Sequence, residues 1–309
     1  MRLIESSYKI LPQEPGLDGI YKMCEIAGRT AYKSENRITE GSAKKFVEAL
    51  MKLKHGAVLE HGTIYLTIPD HEPDEFGRMN YSHVGVGDYG TNKYSRVTYK
   101  NYYQEPNETQ KDYCSKIPRT TTYVTTNLRV LMENDWMDDL QYLCEPTEHH
   151  EKRVTVKFIC SRSIAQEITR HRVFSFLMES QRYVAYNKDK FGGEITYIIP
   201  DWVKLRMNDL SQSDFDQCTD NCVLTWRENL KNSESDYMYL LEEGLKAEEA
   251  RSVLPNDCKT ELVMTGFVSD WEHFFDLRAL DKTGKAHVDI KALACPLRAE
   301  FILNEYVKD

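Results

Sequence analysis

The sequence predicts an α+β fold in a single domain, and three observations support this prediction. Segments with helical periodicity and segments with strand-like alternation are mixed along the chain, without the regular strand–helix alternation of a parallel α/β protein. Of the 309 residues, 41% are hydrophobic and 29% are charged, which is typical of a globular protein with a sizeable core. Internal repeats and low-complexity tracts, which would indicate a solenoid or a disordered chain, are absent from the sequence.

The first elements follow from hydrophobic spacing. Apolar residues recur at helical intervals over 17–27, which predicts a helix. A second helix is expected to be capped by Ser42 and to end at His55 and Gly56. Residues 63–69 then alternate between apolar and polar side chains, as a strand does.

Residues 70–150 have a different composition, rich in Tyr, Asn, Asp and Gly, and we interpret them as an insertion in the domain. Two short strands are expected within it, at 95–99 and 120–125, followed by a helix over 127–144. The remainder of the chain resumes the mixed pattern. We expect a strand at 153–159, a helix at 161–172 capped by Ser161 or Ser163, a strand at 194–199, two long acidic helices within 214–250, a strand at 259–268 and helices at 269–280 and 286–305.

The net charge is −9, from 40 Lys and Arg against 49 Asp and Glu. Because proteins that follow a nucleic-acid backbone usually carry a basic excess, the charge argues against nucleic acid as a partner. An anionic ligand must therefore be small and held by a local cluster of arginines. The sequence has no run of eighteen apolar residues and no export signal, so we expect a cytoplasmic protein that does not span a membrane, with eight scattered cysteines in the reduced state.

The segment Arg170-His171-Arg172 is followed, after seven intervening residues, by Ser180 and then by Arg182, and it concentrates charge in an apolar setting. Three cationic or titratable residues at the end of a predicted helix fit the helix dipole, which would leave them as a solvated helix end. The intervening ValPheSerPheLeuMet is too hydrophobic for open water, however, and an arginine returns ten residues later. An anion-binding site is therefore an equally supported interpretation.

The stretch RHRVFSFLMESQRY resembles the signature of the flavin-dependent thymidylate synthases (the ThyX family), in which RHR is followed by seven residues, Ser and, two places on, Arg. Three other segments are similar to blocks of that family and occur in the same order: HGAVLEHGT (55–63), ARSVLP (250–255) and FFDLRALDKTGKAHVDI (274–290). The resemblance covers roughly 15–69 and 153–305, which again leaves 70–150 as an insertion.

The resemblance implies a homotetramer whose sites are shared between subunits. It implies flavin adenine dinucleotide (FAD) as cofactor, dUMP as substrate, and methylenetetrahydrofolate and NAD(P)H as co-substrates. The product is dTMP, formed without an active-site cysteine. Neither a metal nor a macromolecular partner of another kind is implied.

The resemblance also assigns roles to individual residues. Arg278 is expected to be catalytic and to lie against the uracil ring. The dUMP-binding positions are Glu167, where the family usually has Gln, with Arg170, Ser180, Gln181, Arg182, Arg251 and Arg278. The FAD-binding positions are His61, Thr63, Arg170, His171, Arg172 and, at a position where the family has an asparagine, His273.

Some positions depart from the family pattern. Leu177 and Met178 replace an Asn and a Glu, Ala31 replaces a Ser, and Phe267 replaces a late Asn. Leu177 and Met178 keep one alternative open, a related flavin-dependent pyrimidine-nucleotide hydroxymethylase. A second alternative is a nucleotide- or RNA-binding relative without catalysis, which the acidic charge and the retained arginines argue against. Glu179 is adjacent to the missing carboxylate, although an ungapped alignment does not place it there.

The chemistry agrees with these assignments. Methylation of uracil C5 requires more electron density on the ring, and a guanidinium near O4 and N3 stabilises the anionic ring without losing its own proton. Arg278 is the candidate for this role. Arg182 and Arg251 suit a phosphate because they offer bidentate donors, and Arg172 with Thr63 suits the flavin pyrophosphate.

Several of these residues also have simpler interpretations. His61 fits a buried hydrogen-bonded histidine, Ser180 fits a loop cap, and Arg251 fits an ion pair with Glu248. The cluster Glu148-His149-His150-Glu151 resembles a metal pair, but adjacent histidines point apart on a helix, so no metal site is expected there. The tyrosines of the insertion (Tyr81, Tyr89, Tyr94, Tyr99, Tyr102 and Tyr103) suggest either a stacking surface or, as we prefer, a contact with a neighbouring subunit.

Overall fold

A computed structural model describes residues 1–69, 89–104, 117–182, 185–187, 193–207 and 209–308 of the chain. Strands and helices are intermixed in it, so the predicted α+β class is confirmed. Backbone contacts divide the chain into two compact units, which are described separately. Unit 1 comprises Met1–Leu11, Ile26–Ile38 and Thr155–Asp309, and unit 2 comprises Pro12–Glu25 and Thr39–Val154. A single domain with an insertion at about 70–150 stays a prediction.

The elements have the following bounds in chain order. They are β1 (Arg2–Ile4), β2 (Ser7–Leu11), α1 (Gly16–Tyr32), α2 (Ser42–Lys52), α3 (Gly56–Leu59), β3 (Thr63–Ile68), β4 (Arg96–Gln104), β5 (Ile117–Asn127), α4 (Leu128–Glu133), β6 (Arg153–Ser161), α5 (Arg162–Ile168), β7 (Ser175–Met178), β8 (Thr196–Ile198), α6 (Asp201–Lys204), α7 (Gln212–Gln217), α8 (Asn221–Glu242), α9 (Ala247–Ala250), β9 (Lys259–Phe267), α10 (Val268–Arg278) and α11 (Val288–Leu303). Short 3-10 helices cover Glu35–Arg37, Met137–Tyr142 and Arg251–Val253.

Unit 1 contains a four-stranded sheet with the strand order β2-β6-β9-β7. Strands β2 and β6 are antiparallel, as are β7 and β9. Strand β9 is buried along almost its whole length, as expected of a central strand. Helix α10 follows directly and contributes Trp271, Phe274 and Phe275 to the core, where Phe301 of α11 packs against Trp271 with ring centres 5.2 Å apart.

Unit 2 contains an antiparallel sheet with the order β3-β5-β4. Its buried face carries Ile64 and Leu66 of β3 and Val124 of β5, none of which is exposed. Asn127 at the end of β5 caps α4, because its side-chain oxygen accepts a hydrogen bond from the backbone N–H of Val130.

Most predicted elements are confirmed within a few residues, including the helix over 17–27 and the strands at 63–69, 153–159 and 259–268. The strands at 95–99, 120–125 and 194–199 and the last two helices are also present, with shifted ends. Ser161 caps α5 by accepting from the backbone N–H of Ile164, as predicted. Among the described residues, none of the helices combines the length and the apolarity that a membrane crossing requires.

Several predictions about these elements are wrong. Gly41, not Ser42, is the N-cap of α2, because the Ser42 hydroxyl bonds to Glu25 and to the backbone of Thr39. Helix α2 also ends at Lys52, before His55 and Gly56. The helix predicted over 127–144 ends at Glu133, since Asp135 adopts a left-handed conformation with φ of 60° that an α-helix cannot continue. Within 214–250 only α8 is long, and α7 and α9 are short.

Candidate functional site

The Arg170-His171-Arg172 segment follows α5 rather than forming its last turn. Helix α5 ends at Ile168, so the predicted helical extent of 161–172 is too long. The backbone N–H of His171 still donates to the Ile168 carbonyl, which turns the segment back over the helix end. Arg170 and Arg172 are exposed, whereas His171 is 9% exposed. The turn thus presents two arginines outward and one histidine inward.

The position of His171 is fixed by aromatic packing. Its ring lies edge-on against Phe274, 5.0 Å away, and against Phe174, 6.4 Å away. Phe174 in turn lies so close to Gly266 of β9 that a Cβ there would meet Phe174 Cδ1 at 2.2 Å. A glycine at this position of β9 is therefore required for the apolar ValPheSerPhe stretch to dock onto the sheet.

Arg278, the last residue of α10, contacts both His171 and Glu167. Its Nε donates to His171 Nε2 over 3.1 Å. Its Nη1 lies 3.2 Å from Glu167 Oε2, and its Nη2 donates to the Glu167 carbonyl over 3.4 Å. All three nitrogens of the guanidinium are thus held by the protein, while two of its five N–H groups are not used by these contacts. The Arg278 side chain is 20% exposed.

His171 is neutral in this setting. Burial, the positive charge of Arg278 and the proximity of His273 together lower its pKa to about 4. A neutral imidazole accepts at one nitrogen and donates at the other, so acceptance at Nε2 places the proton on Nδ1. The arrangement therefore fixes the plane of the Arg278 guanidinium without adding a second positive charge.

The loop 179–182 is attached to two other elements through its backbone. The N–H of Glu179 donates to the Glu261 carbonyl over 2.8 Å, and the N–H of Ser180 donates to the Ala31 carbonyl over 3.0 Å. The Ser180 hydroxyl accepts from the N–H of Arg182 over 3.3 Å, so it also closes the loop on itself. Within the same loop, the buried Gln181 donates to Tyr186 Oη over 3.3 Å.

Glu179 belongs to a buried ionic cluster. Its Oε2 lies 2.9 Å from Lys259 Nζ, which is also 2.6 Å from Glu261 Oε1. Lys33 and Lys157 pair with Glu261 as well. Burial alone would raise the pKa of Glu261, but the three lysines outweigh it and hold that pKa at about 2. The Glu179 carboxylate is therefore paired with Lys259.

This cluster was not predicted, although the sequence contains a signal for it. Lys259 and Glu261 are charged residues on one face of a strand that is otherwise strongly apolar. Buried charges are usually paired, so this pattern indicates partners from neighbouring elements.

Arg182 and Arg251 differ in their surroundings. Arg182 is exposed and its Nε lies 3.5 Å from Glu248 Oε2. Arg251 is half-buried in the last 3-10 helix and forms no ion pair with any residue in the described part of the chain. The alternative in which Arg251 pairs with Glu248 is therefore wrong, because Glu248 contacts Arg182 instead.

His61 and Thr63 lie in unit 2, in the interior. His61 is completely buried, and burial together with the nearby Arg153 lowers its pKa to about 3. Arg153 Nη1 donates to Thr63 Oγ1 over 3.3 Å, and its Nη2 donates to the Glu60 carbonyl over 3.1 Å. The side chain of Gln13 forms two hydrogen bonds of 2.8 Å with the backbone of Thr63: its Nε2 donates to the Thr63 carbonyl, and its Oε1 accepts from the Thr63 N–H. Contacts of His61 and Thr63 with a flavin stay a prediction.

His149 and His150 contact residues of unit 2. His150 Nδ1 bonds to Thr147, and its Nε2 bonds to the Leu66 carbonyl over 3.0 Å. His149 lies 3.2 Å from Lys100 Nζ. Within the parts of the chain that the structure describes, no group of three or more metal-ligating side chains was found. Tyr89 donates to Asp139 over 2.6 Å, and Tyr81 lies outside the described residues.

The structure thus brings part of the predicted site together in unit 1. Glu167, His171 and Arg278 are in contact, and His273 lies close enough to His171 to lower its pKa. Arg170 and Arg172 flank His171 in sequence, whereas Ser180, Gln181 and Arg182 form a separate loop.

In sequence, the chain is similar to flavin-dependent thymidylate synthases. A sequence model described as "Thymidylate synthase complementing protein" matches residues 96–302. The chain is 29% identical over 149 residues to a flavin-dependent thymidylate synthase of Thermococcus kodakarensis, a match that covers 48% of this chain and 54% of the relative. It is 26% identical over 217 residues to that of Pyrococcus furiosus, covering 69% of this chain and 81% of the relative.

Among solved structures, the chain is similar to a UMP/dUMP methylase PolB of Streptomyces cacaoi bound with 5-Br dUMP. The identity is 16%, the TM-score is 0.42, and the match covers 98% of this chain and 93% of the other. A similarity of this strength carries no inference about ligands.

Proposed function

The chain belongs to the thymidylate synthase complementing protein family, and from this premise we propose that it is a flavin-dependent thymidylate synthase. In this proposal the enzyme is a methyltransferase that converts dUMP to dTMP, with methylenetetrahydrofolate as the one-carbon donor and FAD, reduced by NAD(P)H, as the cofactor. The observation that carries the proposal is the Arg278 guanidinium, which Glu167 and His171 hold at the surface of unit 1.

Arg278 is suited to activate the uracil ring. Carbon C5 becomes nucleophilic when negative charge develops on N3 and O4, and a fixed guanidinium stabilises that charge without reorganising. The contacts to His171 and Glu167 restrict its rotation, and two N–H groups remain for a ligand. Glu167 is expected to contact the nucleotide at the position where the family has an amide.

The residues of the RHR turn fit the anionic part of a flavin dinucleotide. Arg170 and Arg172 are exposed, and neither forms an ion pair with a residue in the described ranges of the chain. Two such arginines beside a buried histidine are suited to bind a pyrophosphate, because the guanidinium fork is complementary to phosphate oxygens. His273, exposed on α10, would extend the same surface. When bound, the flavin supplies the reducing equivalents that no side chain can deliver.

The dUMP phosphate is assigned to Arg182, Arg251 and the backbone of the 179–182 loop. Arg251 has no anionic partner among the described residues, and the ion pair of Arg182 with Glu248 is exposed and long at 3.5 Å. An exposed pair of this kind contributes little, about 0–1 kcal/mol, so a phosphate dianion would displace Glu248 at small cost. Ser180 is assigned to the nucleotide as a ligand and not as a nucleophile.

Three further features of the proposal come from the family resemblance. They are a homotetramer with sites shared between subunits, a contribution of His61 and Thr63 to flavin binding, and a cytoplasmic location.

A second candidate is a pyrimidine-nucleotide hydroxymethylase of the same family. It is favoured by Leu177 and Met178, which stand in β7 where the family has Asn and Glu, and by Glu179, which is paired with Lys259. Loss of these polar groups would change how the one-carbon unit is processed.

The experiment that tests the proposal begins with the visible spectrum of the purified chain. We expect a yellow protein with flavin absorbance that releases tritium from 5-labelled dUMP only when methylenetetrahydrofolate and a reduced nicotinamide are present. Mass spectrometry of the nucleotide should identify dTMP. A hydroxymethylated nucleotide would support the second candidate, and a colourless protein that binds dUMP without tritium release would contradict both.

A further inference from the structure

An open groove of about 410 Å³ lies in unit 1 at the end of α1, and we call it the α1 groove. Its lining residues come from one short stretch of chain and include three cations and no carboxylate: Arg29, Tyr32, Lys33, Ser34, Asn36 and Arg37. None of these residues was assigned to dUMP or to the flavin. The chain has a net charge of −9, so such a local excess of positive charge would attract anions to this groove specifically.

The shape of the groove follows from how α1 ends. Lys33 takes the left-handed conformation, with φ of 48°, and the N–H of Ser34 bonds back to the Arg29 carbonyl over 3.0 Å. A glycine is the usual residue at such a helix end because it has no Cβ penalty. Lysine stands here instead, and its ammonium pairs with Glu261 and lies 3.5 Å from Glu35.

The charges of the groove are not equivalent. Lys33 is neutralised by Glu261, so its role is to hold the turn. Arg37 is exposed and forms no ion pair with the described residues, and Arg29 lies half-buried on the last turn of α1. Tyr32, which also lines the groove and is 40% exposed, adds the flat surface of an aromatic ring. The groove thus presents guanidinium groups and one aromatic ring to a ligand.

The groove is joined to the proposed nucleotide loop by a direct contact. The carbonyl of Ala31, between the groove residues Arg29 and Tyr32, accepts the backbone N–H of Ser180 over 3.0 Å. Both belong to unit 1. A ligand in the α1 groove would therefore lie beside the loop to which the dUMP phosphate is assigned.

We propose that the α1 groove is an anion-binding subsite that holds the acidic end of a co-substrate, through carboxylate or phosphate groups on Arg29 and Arg37. The proposal rests on the proposed function, because two co-substrates of that reaction carry such ends. Folates end in glutamyl carboxylates, and nicotinamide dinucleotides carry phosphates. The guanidinium fork is complementary to both groups, and the volume suits one end of a co-substrate.

The test is equilibrium binding to the flavin-loaded protein, measured by calorimetry at low salt. The two probes are p-aminobenzoyl-tri-γ-glutamate, for the carboxylate source, and 2′,5′-ADP, for the phosphate source. The double variant Arg29→Gln/Arg37→Gln should bind the correct probe at least about tenfold more weakly, since each arginine–anion contact at a partly exposed site accounts for several-fold in affinity. The variant Arg29→Lys/Arg37→Lys keeps the charge and should lose less.

A control with the same change in charge is Lys204→Gln/Arg206→Gln, which alters two cations of unit 1 outside the groove. It should bind both probes within about twofold of the wild type. Loss of triglutamate affinity alone assigns the groove to the folate, loss of 2′,5′-ADP affinity alone assigns it to the nicotinamide dinucleotide, and loss of both supports a shared anion subsite.

Two results would overturn the proposal. One is unchanged affinity of a folded Arg29→Gln/Arg37→Gln variant for both probes, and the other is a wild-type protein that binds neither probe at millimolar concentration. These binding measurements need no turnover. A flavin-loaded protein that forms dTMP but fails this test would refute the α1 groove alone, whereas a failure to form dTMP would refute the proposed function.

Discussion

Each unit of the molecule contains an arginine next to a buried histidine, and the two pairs differ in what surrounds them. In unit 2, Arg153 is 9% exposed and its guanidinium bonds to Thr63 and to the Glu60 carbonyl beside the completely buried His61. In unit 1, the side chain of Arg278 is 20% exposed and contacts His171 and Glu167.

The difference indicates which pair can take part in chemistry. Burial of Arg153 removes its guanidinium from solvent, so its bonds stabilise the fold. Arg278 is held as firmly, but two of its N–H groups are not engaged by these partners and its side chain is accessible. A guanidinium that is both fixed and accessible is what transition-state stabilisation requires. We therefore expect changes at Arg278 to affect turnover and changes at Arg153 to affect stability.

The largest effect is expected for Arg278→Met, which removes both the charge and the fork. Loss of one preorganised donor group typically costs about 100- to 1,000-fold in turnover, equivalent to about 2.7–4 kcal/mol. The flavin should remain bound, since its phosphates are assigned to Arg170 and Arg172. Steady-state dTMP formation and flavin absorbance provide the measurement, and a variant with wild-type turnover would remove the distinction between the two pairs.

The matched change in unit 2, Arg153→Met, should act on stability. It leaves the Thr63 hydroxyl and the Glu60 carbonyl without a buried donor, which costs about 1–3 kcal/mol in the free energy of unfolding. Urea unfolding followed by circular dichroism gives this value, and Arg278→Met should change it less. If Arg153→Met unfolded at the same urea concentration as the wild type, the structural role of Arg153 would be wrong.

The pH dependence of stability tests both histidines together. Burial lowers the pKa of His61 to about 3 and that of His171 to about 4, both below the value near 6.5 of an unfolded histidine. Below pH 6.5 the unfolded chain therefore binds protons that the folded chain does not. Stability should be fully present above pH 6.5 and should fall as the pH decreases toward 4, by up to about 1.4 kcal/mol per pH unit for each histidine.

Urea unfolding between pH 6.5 and 4.5 measures this slope, because the ordinary pKa of carboxyl groups lies at or below that window. His61→Asn and His171→Asn should each reduce the slope, independently of their effect on absolute stability. An unchanged slope in both variants would show that neither histidine is held neutral.

The smallest effect is expected for the cysteines. Burial raises the pKa of the Cys24, Cys160 and Cys258 thiols to about 12, so none of them is a thiolate at neutral pH. Replacing each cysteine by Ser or Ala should leave turnover within about tenfold, with losses of a few kcal/mol in stability at most. Abolished dTMP formation in a folded, flavin-bound cysteine variant would require a different mechanism.

Much of the fold is predictable from local pattern, because the strands at 63–69 and 259–268 and the helix over 17–27 carry a strong hydrophobic period. Strand β7 is not predicted from local pattern, because it has only four residues and its pairing with β9 is not a local property. The break after Glu133 depends on one left-handed residue, Asp135, that composition does not single out.

The candidate site was predictable as a set of residues but not as a set of contacts. The motif places His171 and Arg278 in one site. The hydrogen bond between them is not predictable from local pattern, because the two residues are 107 positions apart in the chain. The pairing of Glu179 with Lys259 depends on the register of the sheet, which one sequence does not specify.

The central claim is that Arg278 stabilises charge on the uracil ring, and Arg278→Lys tests it most directly. Lysine keeps the positive charge but lacks the planar fork that contacts His171 and Glu167. The measurement is the single-turnover oxidation of the reduced flavin by dUMP and methylenetetrahydrofolate, at saturating dUMP. We predict a rate about 30- to 1,000-fold below that of the wild type, equivalent to about 2–4 kcal/mol of barrier, with FAD still bound. A rate within about threefold of the wild type would contradict the claim and leave Arg278 as a binding residue.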